Sequence, residues 1–581
     1  MKQMTAARCL IAAFAWAIAG PAQAQTVYPI NRAEILTGSR FDLKVEFPEA
    51  PAADAVRVTI NGIEAAALVG RPASFVQRED GRDHSAYWIR DAVLTKPGIY
   101  TVQATAGERS ARVTWEVFDT AGGGNAKNVI LFIGDGMSVA HRTAARVLSK
   151  GLVEGRYGGE LAMDDMPHMA LVSTSGTDAV VTDSANSMSA YTTGHKSCVN
   201  ALGVYCAQNA SPHDHPRVET ITELVKRMRG MAVGVVTNTE IEDATPAGMV
   251  AHTRHRADYD YIVRRFFELQ PEVIMGGGTL NFLPKSAGGR RSDEEDYVKK
   301  FAAAGYTHVT TKSELAGAAG KATKLLGLFN PANIDGALDR FFLKKGSVPK
   351  FPDQPDLTEQ VRAALDILAK SDKGFVLMVE SGRIDKYSHS LDWERAVYDT
   401  IMLDNAVKLA KDFAATRDDT LIIVVPDHAH AVSVVGTYDE SRSGSQRERL
   451  GVYAQSVFPN YPPANADGYP DKIDVSRRLA VVFGIYPDYC DPGRPYLDGE
   501  NVPAVEGDKK GVYVPNEKYC GGGALRRVGN LPFGVSQGVH AADDVVLTAM
   551  GPGAEMFHGR LDNTRVFRVM ATALGLGPPG K

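Results

Sequence analysis

Four fully apolar runs, each ending in a polar cluster, restrict the fold of this 581-residue chain more than any other feature. They read NVILFIGDG, MAVGVVTN, GFVLMVESG and TLIIVVPDH, and segments with helical spacing separate them. A strand that is apolar on both faces belongs in a parallel sheet covered by helices on each side. We therefore predict an α/β domain with a large, mostly parallel central sheet and helices on both faces.

The polar residues after these runs are candidates for a functional site. Asp135 follows the first run, Glu380 closes the third, and Asp427 and His428 follow the fourth. Ligands of open α/β sheets bind beyond the carboxyl ends of the strands. We expect these four side chains to lie close together at that edge.

The region before this domain has a different pattern. Residues 27–120 contain short alternating runs separated by Pro, Gly and Asp, which predict a small immunoglobulin-like β-sandwich. We interpret residues 121–127 as a Gly-rich linker and expect the α/β domain to span 128–578. A Pro-, Gly- and Tyr-rich stretch at about 439–532 interrupts the α/β pattern and is interpreted as a surface insertion.

The first 24 residues have the features of a secretory signal peptide. Lys2 and Arg8 precede a short apolar run, and Ala22-Gln23-Ala24 is an A-x-A cleavage site. We predict export to the periplasm or the medium, with no stable membrane span after cleavage. The net charge of −5 argues against nucleic acid as the main partner.

Cysteine usage fits an oxidising compartment. Cys9 leaves with the signal peptide, and the other four form two local pairs, Cys198 with Cys206 and Cys490 with Cys520. We predict two disulfides, the alternative being four free buried thiols.

Acidic and histidine residues cluster in three short motifs. Asp385 and His389 in GRIDKYSH are four residues apart, so they share one face of a helical turn. Such a pair is more often a surface contact, but Glu380 lies only five residues earlier. PDHAH and GVHAADD add further histidines, and carboxylates together with imidazoles suit zinc. Whether His430 supports another ligand or is purely structural stays open.

The stretch VTDSANSMSAYTTGHKS, residues 181–197, could be a polar linker or a helix start that holds a nucleophile and an anion. Ser184 follows Asp183 where a helix should begin, so its hydroxyl would lie among free backbone N–H groups at the positive end of the dipole. Zinc nearby would activate this weak nucleophile.

The order of IGDG, TDSANS, EDATPAGMVAHTRHR, VESGRIDKYSH, PDHAH and GVHAADD resembles the alkaline phosphatase family, particularly its bacterial branch. The resemblance covers residue 128 to the C-terminus and leaves the sandwich outside. It implies that Ser184 becomes phosphorylated and that Arg256 binds two phosphate oxygens, with Arg254 as a rival for that role.

The resemblance also implies two zinc ions and one magnesium ion per subunit. The implied ligands are Asp385, His389 and His540 for one zinc; Asp135, Asp427 and His428 for the other; and Asp135, Thr245 and Glu380, with Asp243 holding waters, for magnesium. Asp243 and Lys386 replace the histidines of some members, and we expect an ion pair between them near the phosphate that slows product release.

These inferences predict a secreted alkaline phosphatase that hydrolyses small phosphate monoesters through a phosphoserine. A phosphodiesterase or a sulfatase on the same scaffold is the nearest alternative, although Ser184 is not in a C/S-x-P-x-R context. A non-catalytic secreted binding protein is the alternative of another class. A homodimer is implied by the family resemblance.

Overall fold

The computed structural model describes residues 25–577, and a ten-stranded sheet forms its centre. Among the described strands of this sheet, Val545–Met550 alone runs against the others. This mixed but mostly parallel sheet confirms the predicted fold class. Across the sheet the order is Thr307–Val309, Leu325–Leu328, Val273–Gly277, Ala232–Glu240, Phe375–Ser381, Asn128–Gly134, Thr420–Val425, Val545–Met550, His168–Ser173 and Gly559–Asp562.

Helices cover both faces of the sheet because alternate strand residues point to opposite sides. In strand Asn128–Gly134, Val129 and Leu131 belong to one core, and Ile130 and Phe132 belong to the other. One face is covered by Ser184–Thr193, Ile221–Arg229, Tyr259–Leu269, Tyr297–Ala303 and Thr564–Ala573. The other face is covered by Val139–Lys150, Lys312–Ala318, Leu357–Leu368, Arg383–His389 and Trp393–Ala414.

The N-terminal region forms two β-sheets around a separate core. Trp115 and Phe47 are fully buried in this core, which agrees with the alternation of apolar residues along the strands. One sheet contains Thr26–Tyr28, Arg40–Pro48, His84–Val93 and Ser74–Val76. The other contains Glu34–Leu36, Arg109–Phe118, Gly98–Ala106, Val56–Ile60 and Ile63–Glu64. The predicted boundaries at residues 120 and 128 stay predictions.

Both predicted disulfides are present. Cys198 and Cys206 join with Cα atoms 6.2 Å apart, and Cys490 and Cys520 join with Cα atoms 5.1 Å apart. The second disulfide lies in the stretch interpreted as an insertion, residues 439–532, which contains short paired strands; its extent stays a prediction. These strands are Leu450–Gly451 and Arg477–Phe483, both against Val432–Asp439; Tyr489–Asp491 against Leu525–Arg527; and Ala504–Glu506 against Tyr513–Pro515.

Further short helices and strand pairs occur in both regions. They are helices Ala65–Val69, Ala244–Ala247, Thr279–Phe282 and Gln446–Arg449, and strand pairs Leu152–Val153 with Arg156–Tyr157 and Ala429–His430 with His540–Ala541. The predicted signal peptide, residues 1–24, lies outside the described residues. Within residues 25–577, no helix combines the length and the apolar character needed to cross a membrane.

Candidate active site

Three neighbouring strands bring the predicted acidic residues to one edge of the sheet. Asn128–Gly134 lies between Phe375–Ser381 and Thr420–Val425, and the register aligns their carboxyl ends. Asp135, Glu380 and Asp427 are all buried at this edge. Burying charged carboxylates is unfavourable unless a cation or hydrogen bonds compensate them. The edge therefore has the chemistry of a cation site.

A first cluster of metal-type ligands centres on Asp385. Its Oδ1 lies 3.3 Å from His389 Nε2, 3.3 Å from His540 Nε2 and 2.7 Å from His430 Nε2. The two nitrogens of His389 and His540 are 3.1 Å apart. Ligand atoms on a tetrahedral zinc ion with bonds of about 2.0–2.1 Å lie roughly 3.3–3.4 Å apart. The spacing of this cluster fits zinc.

Local structure explains how the cluster forms. Helix Arg383–His389 puts Asp385 and His389 on the same side, one turn apart. The two-residue strand pair Ala429–His430 with His540–Ala541 places His430 directly opposite His540. Residues from three distant motifs thus meet at one point.

Backbone carbonyls orient two of these histidines. Nδ1 of His389 donates to the carbonyl oxygen of Gly538 at 2.6 Å, and Nδ1 of His540 donates to that of Thr182 at 2.9 Å. A carbonyl oxygen only accepts, so each Nδ1 holds the proton and each Nε2 keeps a lone pair. The lone pairs face Asp385, as metal ligation requires.

A second cluster surrounds His428. Its Nε2 lies 3.2 Å from Asp135 Oδ1, 3.4 Å from Asp427 Oδ2 and 3.3 Å from Ser184 Oγ. These two carboxylate oxygens are buried and accept no hydrogen bond within the described residues. Burial, with the charges of Asp385 and Asp427, raises the pKa of Asp135 well above its usual range. Burial and the charge of Asp385 likewise raise the pKa of Asp427 to about 6. A divalent cation fits this uncompensated oxygen-rich pocket.

The predicted magnesium ligands offer oxygen atoms only. Thr245 Oγ1 is buried without a hydrogen-bond partner among the described residues. Glu380 is close enough to Asp135 for its charge to raise the pKa of Asp135, and burial raises the pKa of Glu380 itself to about 7. Helix Ala244–Ala247, which contains Thr245, packs against strand Phe375–Ser381. A hard cation such as magnesium suits these donors.

Arg256 is held between two carboxylates beside Ser184. Its NH1 donates to Asp183 Oδ2 at 3.2 Å, and its NH2 donates to Asp243 Oδ1 at 2.9 Å. Arg254, the rival, donates instead to the backbone oxygen of Val199 at 3.0 Å. Of the two arginines, Arg256 is the one whose guanidinium contacts the residue that precedes Ser184.

The expected ion pair between Asp243 and Lys386 is present. Lys386 Nζ lies 2.7 Å from Asp243 Oδ2. Burial alone would raise the pKa of the Asp243 carboxyl, but Lys386 and Arg256 together lower it below its usual range. Asp243 therefore stays ionised and links both cations.

Ser184 begins the buried helix Ser184–Thr193. Asp183 is the N-cap residue, and its Oδ1 accepts from the backbone N–H of Asn186 at 3.1 Å. The hydroxyl of Ser184 lies at the end of the helix where backbone N–H groups are free and the dipole is positive, which favours an anion. The hydroxyl of Ser184 thus lies beside the imidazole of His428, and the residue before it contacts the guanidinium of Arg256.

The sequence profile of the alkaline phosphatase family matches residues 126–576. The chain belongs to the alkaline phosphatase family. It is thus an enzyme of the phosphoric monoester hydrolase class, and the family predicted from the motif order is confirmed. The matched region begins after the N-terminal sandwich.

Relatives of known identity support this membership. The tissue-nonspecific alkaline phosphatase of Gallus gallus is 31% identical over 492 aligned residues, covering 78% of this chain and 85% of that protein. The solved alkaline phosphatase of Thermus thermophilus is 26% identical, with a TM-score of 0.57, and the match covers 79% of this chain and 93% of that one. The alkaline phosphatase of the Antarctic bacterium TAB5, at 20% identity and a TM-score of 0.52, shares the fold.

Several side chains at the site of this alkaline phosphatase family member were not predicted from its sequence. Asp183 was treated as a helix start, yet its Oδ2 binds Arg256. Thr237 and Thr239 both donate to Glu380 Oε2, the second at 3.1 Å. Their alternation in a strand places them on one face, a signal that could have identified them. The sequence leaves the role of His430 undecided. In the structure its Nε2 donates to Asp385, so His430 contacts a predicted metal ligand.

Proposed function

We propose that the protein hydrolyses phosphate monoesters through a phosphoserine at Ser184, in a site that binds two zinc ions and one magnesium ion. The observation that supports this most directly is the position of Ser184. Its Oγ lies 3.3 Å from His428 Nε2, and the preceding residue, Asp183, binds Arg256. The proposed nucleophile therefore lies beside a metal-type ligand, His428. The residue that precedes it contacts the proposed anion-binding group, Arg256.

Arg256 binds the substrate in this proposal. A phosphate monoester is a dianion that repels nucleophiles, so its charge must be neutralised and its phosphorus aligned for attack. The planar guanidinium can bind two phosphate oxygens at once. Asp183 and Asp243 fix its plane before substrate arrives, which lowers the entropy lost on binding.

Ser184 is the attacking group. Attack of its Oγ on phosphorus displaces the alcohol, and attack of water on the phosphoserine releases phosphate and restores the hydroxyl. Zinc bound by the histidine and aspartate ligands would make the serine oxygen more nucleophilic and stabilise negative charge on the leaving oxygen. Two in-line displacements retain the configuration at phosphorus.

The assignment of metals to residues is part of the proposal. Asp385, His389 and His540 would hold one zinc ion, and the second would be held by Asp135, Asp427 and His428. Magnesium would take Asp135, Thr245 and Glu380, with waters held by Asp243. Within the part of the chain that the structure describes, buried oxygens of Asp135, Asp427 and Thr245 have no hydrogen-bond partner, which supports these sets.

We also propose export and a homodimer. The leader-like residues 1–24 and the two disulfides support an oxidising compartment, either the periplasm or the medium. The homodimer rests on the family alone.

The test compares p-nitrophenyl phosphate with bis-p-nitrophenyl phosphate at alkaline pH, after chelation and return of zinc and magnesium. We expect strong monoester preference and a loss of at least about 1000-fold in Ser184→Ala. Ser149→Ala, which removes a buried hydroxyl in helix Val139–Lys150, serves as a matched control and should keep its activity.

Mass spectrometry of acid-quenched turnover should find the phosphoryl group on the peptide that contains Ser184. Diester preference would move the assignment to the phosphodiesterase alternative. Full activity of Ser184→Ala would remove this serine from its role. Inactivity of the metal-loaded wild type would favour the non-catalytic binding protein.

A further inference from the structure

Residues 198–219 are here termed the bridging segment. The segment begins shortly after helix Ser184–Thr193 and ends just before helix Ile221–Arg229. Between these helices it contacts the N-terminal sandwich. Among the described residues, strand Thr26–Tyr28 pairs only with residues 44–46 of strand Arg40–Pro48. Nearer the start of strand Arg40–Pro48, Val218 forms an antiparallel bridge with Phe41. Asp42 N donates to Arg217 O at 2.9 Å, and Glu219 N donates to Arg40 O at 3.0 Å. The segment thus adds to the sandwich as a short strand.

Hydrogen bonds of side chains also join the bridging segment to the sandwich. Lys44, which is fully buried, donates from Nζ to Asn209 Oδ1 at 2.7 Å. Glu46 Oε1 accepts from the backbone N–H of Gln208 at 2.7 Å. The hydroxyl of Tyr28 donates to the backbone oxygen of Cys206 at 3.0 Å. The sandwich therefore fixes the backbone of the segment at several points.

Apolar packing joins the same two parts. Tyr205 and Val218 of the segment are 2% and 3% exposed and belong to the core of the sandwich. The ring of Tyr205 lies 5.7 Å from that of Tyr28. Separating the segment from the sandwich would expose this apolar surface to water, so the attachment is stable.

The other side of the segment contacts the groups around Arg256. Asn200 O accepts from Arg256 N at 2.9 Å, and Asn200 N donates to Asp183 Oδ2 at 3.1 Å. That same Oδ2 binds the guanidinium of Arg256. Leu202 and Thr253 exchange two backbone hydrogen bonds of 2.8 and 2.9 Å just before Arg256. The segment thus holds both the backbone of the arginine and its carboxylate partner.

From these contacts we propose that the N-terminal sandwich positions Arg256 for phosphate through the bridging segment. The Cys198–Cys206 disulfide closes the loop that contains Asn200 and Leu202, so a constraint applied near Cys206 reaches them over a short, cross-linked distance. This gives a role to a domain that lies outside the family match. The inference rests on the proposed role of Arg256. The sandwich residues are positioning residues, since none of them touches substrate.

The test is a double-mutant cycle read out as competitive inhibition by inorganic phosphate. Tyr28→Phe combined with Asn209→Ala removes two contacts between sandwich and segment. Tyr100→Phe is the matched control, because its hydroxyl donates to a backbone oxygen at the same 3.0 Å but within the sandwich, at Lys96. Each variant is made in the full-length protein, with Arg256 intact and in the Arg256→Ala background, and with zinc and magnesium restored.

We expect the double variant to raise the inhibition constant of phosphate about three- to tenfold with Arg256 intact. In the Arg256→Ala background the rise should fall below about twofold, since the arginine to be positioned is gone. Tyr100→Phe should change neither value, and zinc content should be the same throughout. Hydrogen exchange at the amides of Asn200 and Gln208 should quicken in the double variant alone.

An equal rise in both backgrounds would overturn the inference, because it would mean a general structural effect. No rise with Arg256 intact, while Arg256→Ala itself weakens phosphate, would also overturn it and leave the proposed function standing. If Arg256→Ala leaves phosphate inhibition unchanged, the assignment of Arg256 fails and this inference fails with it.

Discussion

Two buried clusters contain acidic and histidine side chains, one in the sandwich and one at the edge of the α/β sheet. They differ in how their negative charge is balanced. Glu46, Glu79 and His84 bring three acidic or imidazole ligand atoms together in the sandwich. Lys44 Nζ lies 2.6 Å from Glu46 and 2.8 Å from Glu79 there. At the sheet edge, Asp135 meets Asp385 and His428, and among residues 25–577 no lysine or arginine lies within ion-pair distance of its carboxylate.

Charge balance therefore distinguishes a structural cluster from a candidate metal site better than composition does. Burial would raise the pKa of Glu79, but hydrogen bonds from Lys44 and Trp88 lower it. Burial raises the pKa of Asp135, and the nearby carboxylates add to the rise. Lys44 supplies the cation in the sandwich, whereas the carboxylate of Asp135 has no such partner among residues 25–577 and suits a metal ion.

Asp243 combines features of both clusters. It is buried beside the candidate metal ligands, yet Lys386 and Arg256 of the same chain compensate its charge. The site therefore contains both kinds of carboxylate, one suited to a metal ion and one to fixing cationic side chains.

The largest effect is expected from metal removal. Chelation should lower monoester hydrolysis at least about 1000-fold, and zinc should restore it, because the buried carboxylates and imidazoles lose their cation. Hydrogen exchange should quicken at residues 385–389 and 427–430 and stay unchanged at 40–48. The two clusters would not differ in their need for a metal ion if the chelated protein kept full activity. The same would follow if hydrogen exchange quickened equally at residues 40–48 of the sandwich.

Lys44→Met should destabilise the sandwich by about 3–5 kcal/mol, because it leaves two carboxylates buried without their cation. Equilibrium urea unfolding followed by tryptophan fluorescence measures this. Lys96→Met, at an exposed position of the same domain, is the control and should change little. Adding Glu79→Gln to Lys44→Met should restore part of the stability. A variant as stable as wild type would show that the charge network contributes nothing.

His430→Gln should weaken zinc binding about 10- to 100-fold, since it removes the imidazole 2.7 Å from Asp385 Oδ1. Competition with a zinc-binding dye gives the affinity. His308→Gln, which replaces a half-buried histidine on a distant strand, should leave zinc affinity unchanged. If His430→Gln lowers stability but not zinc affinity, then His430 is structural, like His84 in the sandwich.

Asp243→Asn should have the smallest effect, a rise of about two- to fivefold in turnover with weaker product inhibition. Without the carboxylate, Arg256 and Lys386 lose their common anchor and hold phosphate less firmly. Steady-state kinetics with added phosphate measures both quantities, and Lys386→Ala should change them in the same direction. Unchanged turnover and unchanged inhibition in both variants would argue against slow phosphate release.

Much of the site could be predicted because its residues follow buried strands in ordered motifs. Asp135, Glu380 and Asp427 were expected at one edge, and the sheet order brings their strands together. The contact between Asp183 and Arg256 was not foreseen, because these residues are 73 positions apart and nothing local relates them. The donation of His430 to Asp385 was likewise unforeseen, because it depends on the pairing of His430 with His540.

The α/β class and the family could be read from the sequence, and so could most of the residues proposed for the site, since these depend on periodicity and on motif order. Three properties follow only from the folded chain: Arg256 contacts Asp183, the bridging segment pairs with the sandwich, and Asp135 has no cationic side chain as partner among residues 25–577. These properties depend on contacts between residues far apart in the chain. Such contacts are fixed only when the sheets and helices pack against one another, because local sequence does not specify which distant surfaces meet.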